Sequence, residues 1–135
     1  MLVTLFNYMI INTDYSVPIL HNLELVSMDY FEPPLPVPLD FDWSGMINIP
    51  YNYNYNPGKE YPRREFKGPC WKRRELRRGF TKMKEKRFEI FKLYAAFPYL
   101  NPSIKTRTLY DLNNFYGCIE NRKLVREEFM KNCYK

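Results

Sequence analysis

The segment from Trp71 to Phe97 constrains the fold of this chain most, because it combines an apolar stripe with many cations. As an α-helix of 3.6 residues per turn, the segment places six apolar side chains on one face. These are Leu76, Phe80, Met83, Ile90, Phe91 and Tyr94. Its Lys and Arg residues lie on both sides of this stripe and behind it, and only three acids interrupt them. A helix that is positive nearly all round requires anions on more than one side, so the segment predicts a helix enclosed by a polyanion.

RNA is the polyanion that these residue types favour. Lys and Arg neutralise phosphates, Arg also makes bidentate hydrogen bonds to phosphate oxygens, and a Trp ring stacks on bases. The predicted RNA-binding residues are Trp71, Lys72, Arg73, Arg74, Arg77, Arg78, Lys82, Lys84, Lys86, Arg87 and Lys92, with Lys105 and Arg107 as weaker contacts. Arg87 lies inside the apolar stripe, so we expect it to reach a buried phosphate or to pair with an acid. The alternative is that these cations form only a solvated face.

The charges divide the chain into two parts. Residues 1 to 58 contain six acids and no Lys or Arg, a net charge of −6, whereas the remainder carries 21 bases and nine acids, a net charge of +12. Nine prolines punctuate residues 16 to 69 and alternate with apolar side chains, which predicts extended backbone. We therefore expect residues 1–58 to form an extended acidic and aromatic arm that packs on partner proteins, and residues 59–135 to form a basic helical RNA-binding region.

Two short segments of this arm carry patterns of their own. The first eleven residues, MLVTLFNYMII, are apolar but too few to span a bilayer, so they predict a strand or a short helix buried against a partner. The repeat YNYNYN, from Tyr51 to Asn56, predicts either an edge strand or three rings that stack on bases. We expect no transmembrane segment.

Helix signals dominate the rest of the chain, and the predicted fold class is mainly α. One long basic helix is expected over residues 71–97, followed by two shorter helices over 102–116 and 122–132. Asn101 and Pro102 are typical of a helix N-terminus, Gly117 is typical of the position just after a helix, and Asn121 is typical of a further N-cap. These helices follow the extended N-terminal arm.

Residue patterns for catalysis or cofactor binding are absent from the sequence. It contains no phosphate-binding glycine loop, no dinucleotide fingerprint, and no zinc-protease or serine-hydrolase motif. Cys70, Cys118 and Cys133 match no zinc spacing, and their odd number predicts reduced thiols rather than a disulfide framework. We expect a protein without enzyme activity, metal or other cofactor.

One part of the basic segment resembles a known family. Arg73-Arg74-Glu75-Leu76-Arg77-Arg78, followed by Arg87, Ile90-Phe91-Lys92-Leu93-Tyr94 and Pro98-Tyr99-Leu100, is similar to the first helix of the universal small-subunit ribosomal protein family fourteen, especially its mitochondrial members. The similarity covers about a third of the chain. It implies a structural constituent of the small ribosomal subunit in the mitochondrion, with the basic helix against rRNA and the arm across neighbouring ribosomal proteins.

A second resemblance supports an alternative. Leu93-Tyr94, followed by Val125-Arg126-Glu127-Glu128-Phe129-Met130-Lys131-Asn132, is similar to the LYR-motif helical proteins of mitochondria, which include accessory subunits of respiratory complex I. This similarity implies an accessory subunit of a respiratory membrane complex, whose bases would meet acidic subunits or cardiolipin. A free adaptor that binds an anionic surface is a third possibility.

Overall fold

The computed structural model describes residues 1–46 and 64–135. Within these ranges the elements are α1 (Leu2–Met9), β1 (Leu23–Val26), β2 (Leu35–Pro38), α2 (Arg73–Glu85), α3 (Arg87–Ala96), α4 (Pro102–Glu120) and α5 (Arg122–Val125), which runs directly into a π-helix (Arg126–Lys131). The fold is therefore mainly α. Two compact units are present: a first unit, Val3–Lys67, and a second unit, Gly68–Lys135 together with Met1–Leu2. The YNYNYN repeat lies outside the described residues.

The first unit differs from the extended arm that the sequence predicts. Its α1 is buried within the unit, with Leu5 fully inaccessible to solvent. The Phe6 ring packs edge-on against Phe41 at 5.7 Å, and Tyr8 packs against Phe66 at 6.2 Å. Two aromatic side chains of the proline-rich segment, Phe41 and Phe66, therefore cover α1 of the same chain. These contacts form within one chain, because an apolar helix and apolar loops bury each other's surface.

Several polar groups inside the first unit are paired with its own backbone and side chains. The buried Asn7 amide donates to the Val3 carbonyl at 2.9 Å, and the Asn12 amide donates to Asn7 Oδ1 at 2.9 Å. Ser44 Oγ donates to the Ile10 carbonyl at 2.5 Å. Buried polar groups stabilise a fold only when they are paired, so these bonds make α1 compatible with a buried position.

A β-hairpin projects from the first unit. β1 and β2 pair antiparallel, with Leu23 opposite Pro38 and Val26 opposite Leu35. Leu23 is buried together with Val3 and Tyr15, whereas the other residues of β1 are exposed. The extended backbone predicted for the proline-rich segment is therefore present in β2, and most of the hairpin lies outside the core.

The long basic helix of the prediction is two helices. α2 ends at Glu85 and α3 begins at Arg87, with Lys86 between them at φ −94° and ψ 0°. The Tyr116 hydroxyl donates to the Met83 carbonyl at 3.0 Å, and in a continuous helix that carbonyl accepts from the amide of residue 87. A side chain that competes for a backbone carbonyl is a recognised cause of a helix break. Of the predicted stripe, Leu76, Phe80 and Met83 are buried, while Ile90, Phe91 and Tyr94 are only half-buried.

The C-terminal helices begin at their predicted N-caps, but they do not end where the sequence predicts. Asn101 Oδ1 accepts from the Ser103 amide at 2.9 Å at the start of α4, and Asn121 Oδ1 accepts from the Lys123 amide at 2.9 Å at the start of α5. The prediction that α4 stops before Gly117 is wrong, because the helix continues to Glu120. The prediction of one α-helix over 122–132 is also wrong in part, since the chain switches to a π-helix at Arg126.

The expectation of reduced thiols does not hold in this structure. Cys70 and Cys133 form a disulfide, and Cys118 is a buried thiol outside this bond. The Cys70 amide donates to the Tyr134 carbonyl at 3.0 Å, and the Tyr134 amide donates to the Gly68 carbonyl at 3.1 Å. The tertiary pairing of these two segments brings the cysteines together, although 63 residues separate them in sequence.

Candidate nucleic-acid interface

The second unit contains a cleft of about 690 Å³ between α2 and the helices at the C-terminal end. Its lining combines apolar and charged side chains. The apolar members are Leu76, Phe80, Ile119, Val125 and Met130. The charged members are Arg73, Arg77, Lys84, Glu120, Arg122 and Arg126, so five cations face a single carboxylate. We refer to this feature as the basic cleft.

Helical spacing positions one wall of the basic cleft. Arg73, Arg77 and Lys84 follow each other at intervals of four and seven residues, so they lie on one flank of α2. This flank is next to the face that buries Leu76 and Phe80. The start of α2 is fixed locally, because Glu75 Oε2 accepts from the Lys72 amide at 2.8 Å.

The opposite wall depends on the turn from α5 into the π-helix. Arg122 and Arg126 are four residues apart and both line the cleft. Phe129 of the π-helix is fully buried, and its ring packs at 5.1 Å from the ring of Phe80 on α2. This aromatic contact joins the two walls beneath the cations, so the arginines are held on a packed core.

Four arginines of the cleft have no ion-pair partner among the described residues. For Arg73, Arg77, Arg122 and Arg126 no carboxylate lies within 4.0 Å. The single cleft carboxylate, Glu120, is shared between Lys84 Nζ at 3.8 Å and the Arg87 guanidinium at 3.6 Å. The cleft therefore presents uncompensated positive charge, which favours an anionic ligand.

The outer face of α2 carries a second group of cations. Arg74 and Arg78 are exposed, and the structure as described places no carboxylate within 4.0 Å of either. Lys82 and Lys86 differ from them, because each pairs with an acid of its own segment: Lys82 with Glu85 at 3.3 Å and Lys86 with Glu89 at 2.9 Å. The predicted RNA-binding residues Lys82 and Lys86 are thus partly neutralised, whereas Arg74 and Arg78 have no such partner in the described structure.

Arg87 takes one of the two roles that the sequence predicts for it, since it pairs with the acid Glu120. Its guanidinium also lies 4.8 Å from the centre of the Tyr116 ring and 5.6 Å from that of Phe91. The Nη2 group donates to Asn113 Oδ1 at 3.4 Å. Burial raises the pKa of the Tyr116 hydroxyl, and the charge of Arg87 opposes this rise. These contacts hold the Arg87 guanidinium in the packing between α3 and α4, so little of it remains to bind a phosphate.

The remaining predicted residues lie away from the cleft. Lys105 Nζ donates to the Ala95 carbonyl at 2.9 Å, so it satisfies the C-terminal end of α3. Lys92 is exposed on α3, and Lys72 is exposed just before α2. Trp71 and Arg107 are half-buried, so neither presents a whole side chain to an external ligand.

Sequence reasoning missed two of the cleft residues, Arg122 and Arg126. The segment from residue 122 onward has mixed charges, and no RNA-binding residue was predicted there. The signal that could have found them is their spacing of four residues directly after the Asn121 cap, which places both on one helical face. Only the packing of Phe129 on Phe80 shows that this face meets α2.

Comparisons of this chain with models of protein families, with curated proteins and with solved structures find no match. Among the described helices, none has the length and apolar content needed to cross a membrane. The described residues also contain no group of three or more His, Cys, Asp or Glu side chains arranged to hold a metal ion.

Proposed function

We propose that this protein is a non-catalytic structural subunit of a ribonucleoprotein and that it binds RNA through the basic cleft and the outer face of α2. The observation that supports this most directly is the set of six arginines without a carboxylate within 4.0 Å in the described structure. They are Arg73, Arg74, Arg77, Arg78, Arg122 and Arg126. An RNA backbone supplies many phosphates, and each of these arginines can neutralise one.

The positions of these arginines favour RNA over a single acidic peptide. Arg77 and Arg126 lie in the cleft, whereas Arg74 and Arg78 lie on the outer face of the same helix. A folded RNA can place phosphates on both sides of one helix, and Arg can both fork to phosphate and stack on bases. The apolar lining of the cleft offers contact area for ribose and base edges that leave water.

The finer proposal is that the ribonucleoprotein is a mitochondrial small ribosomal subunit. Its support is the similarity of the segment from Arg73 to Leu100 to the family described above. The expected partners are then rRNA and neighbouring ribosomal proteins.

Charge reversal within the cleft should weaken RNA binding. We expect Arg77→Glu combined with Arg126→Glu to raise the Kd for a structured RNA by roughly a hundredfold, because two charge-assisted contacts of about 1.5 kcal/mol each are lost. Fluorescence anisotropy with labelled RNA at fixed salt measures the change. The slope of log K against log salt should also fall in magnitude by about two.

The matched control is Lys82→Glu combined with Lys86→Glu. It makes the same change in net charge on the same part of the chain, but it replaces cations that already pair with Glu85 and Glu89. We expect a loss of only about threefold, from long-range electrostatics that salt screens. Equal losses for the two double variants would indicate that the cleft has no specific role. An unchanged Kd for the cleft variant would refute RNA binding there.

Sedimentation of an organelle lysate tests the assembly itself. We expect the protein to migrate with ribosomal small subunits and to leave that fraction after RNase treatment, because its contacts are to RNA phosphates. Immunoblotting of gradient fractions measures this. Migration with a respiratory complex that resists RNase would contradict the proposal and support the alternative of a respiratory accessory subunit.

A further inference from the structure

The end of the β-hairpin exposes large apolar side chains to an unusual degree. We define the hairpin tip as residues 27 to 34. Met28 is 81% exposed, Tyr30 is 94% exposed and Phe31 is 91% exposed. Clustered apolar side chains on a surface mark sites of interaction, whereas isolated ones do not. Aromatic residues in particular act as anchors at protein interfaces.

The hairpin tip holds these side chains in a defined arrangement. Asp29 Oδ1 accepts from the Phe31 amide at 3.1 Å, and Ser27 Oγ donates to the Asp29 carbonyl at 2.7 Å. The rings of Tyr30 and Phe31 meet edge-on at 5.7 Å. A turn that is ordered before binding loses less conformational entropy when it binds, so this arrangement favours a specific contact.

The strands behind the tip extend the apolar surface. Leu25 and Val26 of β1 and Leu35 and Val37 of β2 are all exposed. In an antiparallel pair successive side chains point to opposite faces, so Leu25 lies on one face while Val26, Leu35 and Val37 share the other. Both faces of the hairpin beyond Leu23 are thus available for side-chain contacts.

The outer edge of β2 cannot accept another strand in the usual way. The Leu39 amide donates to the Asn22 carbonyl at 2.9 Å, so the nitrogen of residue 39 points toward β1. Because the direction of the backbone nitrogen alternates along a strand, the nitrogens of Pro36 and Pro38 point outward. Proline nitrogen has no hydrogen to donate, so this edge lacks the donors that strand addition needs. Recognition on this side must use side chains.

The charge of the hairpin selects among possible partners. Residues 22 to 42 contain five acids and neither Lys nor Arg. Glu24 and Glu32, two of these acids, are exposed on the hairpin beside the apolar side chains. RNA phosphates and anionic lipid headgroups would be repelled, while a surface that carries Lys and Arg would be attracted.

We propose that the hairpin docks on another protein subunit, at an apolar surface bordered by Lys and Arg. Tyr30 and Phe31 are the anchors, and Glu24 and Glu32 pair with the basic border. The inference rests on the proposed function in one respect, because it places the partner in the same ribonucleoprotein, where proteins that neutralise phosphates carry such cations.

Site-specific photo-crosslinking tests this docking in the full chain. Tyr30→p-benzoylphenylalanine is expressed in cells and irradiated, and the cross-linked peptide is identified by mass spectrometry. We expect a peptide from a different protein that contains apolar residues together with Lys or Arg. Adding Glu24→Lys and Glu32→Lys to the same chain should lower the cross-link yield by roughly tenfold or more, because attraction to the basic border becomes repulsion.

The matched control is Tyr99→p-benzoylphenylalanine, since Tyr99 is 88% exposed in the second unit. It should not capture the same peptide. A cross-link from position 30 to RNA, to lipid or to a second copy of this chain would overturn the docking proposal, and so would the absence of any cross-link. An unchanged cross-link yield after the charge reversal would also overturn it. The RNA affinity of the Glu24→Lys, Glu32→Lys chain is measured separately. A docking failure with intact RNA binding therefore differs from a failure of the proposed function.

Discussion

Reduction of the Cys70–Cys133 disulfide is expected to lower the free energy of unfolding of the second unit by about 4 kcal/mol. The bond closes a loop with a sequence separation of 63 residues, and in the chain-entropy description a cross-link of this span removes that much freedom from the unfolded chain. Urea denaturation with and without reductant measures the difference. The midpoint should fall on reduction, and the slope should rise because the unfolded chain without the cross-link is less compact.

The variant Cys133→Ser provides the control for this experiment. It should unfold at the midpoint of the reduced wild type, and reductant should not change it further, because the buried thiol of Cys118 has no disulfide to lose. The parallel pairing of Pro69 with Tyr134 holds the same two segments without the covalent bond. If reduction leaves the wild-type midpoint unchanged, this pairing alone holds the two segments together, and the disulfide adds nothing to the stability of the second unit.

The disulfide also bears on where the protein works. Such bonds persist in oxidising compartments and are kept reduced by the thiol systems of the cytosol. The thiol state of Cys70 and Cys133 in acid-quenched cells therefore reports the compartment directly. In a reducing compartment the second unit would have to be stable without the bond, through RNA or protein contacts that bind only the folded state.

Truncation of Phe129 is the second change with a large expected effect. Phe129 has no solvent-exposed surface, and its ring packs at 5.1 Å from that of Phe80. We expect Phe129→Ala to lower the free energy of unfolding of the second unit by about 3–5 kcal/mol, because the change removes buried apolar area and leaves a cavity. Urea denaturation followed by far-ultraviolet circular dichroism measures the loss.

Phe88→Ala is the matched control for this truncation. It removes the same atoms from a side chain that is 77% exposed on α3, so the expected change is within about 0.5 kcal/mol. Similar losses for Phe129→Ala and Phe88→Ala would mean that the π-helix is not packed on α2. The two walls of the basic cleft would then not be joined as described.

Several local features of this fold were predictable from the sequence because neighbouring residues determine them. The N-caps at Asn101 and Asn121 need only a side-chain oxygen two or three residues before a free amide. The stripe of Leu76, Phe80 and Met83 follows from helical periodicity. The cations of α2 were predicted for the same reason, since composition and spacing place them on a helix surface.

The tertiary structure decided the features that depend on residues far apart in the chain. The Tyr116 hydroxyl donates to the Met83 carbonyl next to the break in the predicted long helix, although 33 residues separate Tyr116 from Met83. The basic cleft needs Arg122 and Arg126 beside α2, and periodicity within one helix carries no information about which helices meet. The packing of α1 on Phe41 and Phe66 similarly converts a predicted arm into a compact unit.

The sequence by itself thus determined helix caps, apolar stripes and the separation of charge between the two parts of the chain. These are properties of short segments, set by backbone geometry and local hydrogen bonding. Tertiary contacts decided the helix break, the disulfide and which arginines share a cleft. Each of these depends on burying particular side chains against each other across long sequence separations, and no local pattern encodes that choice.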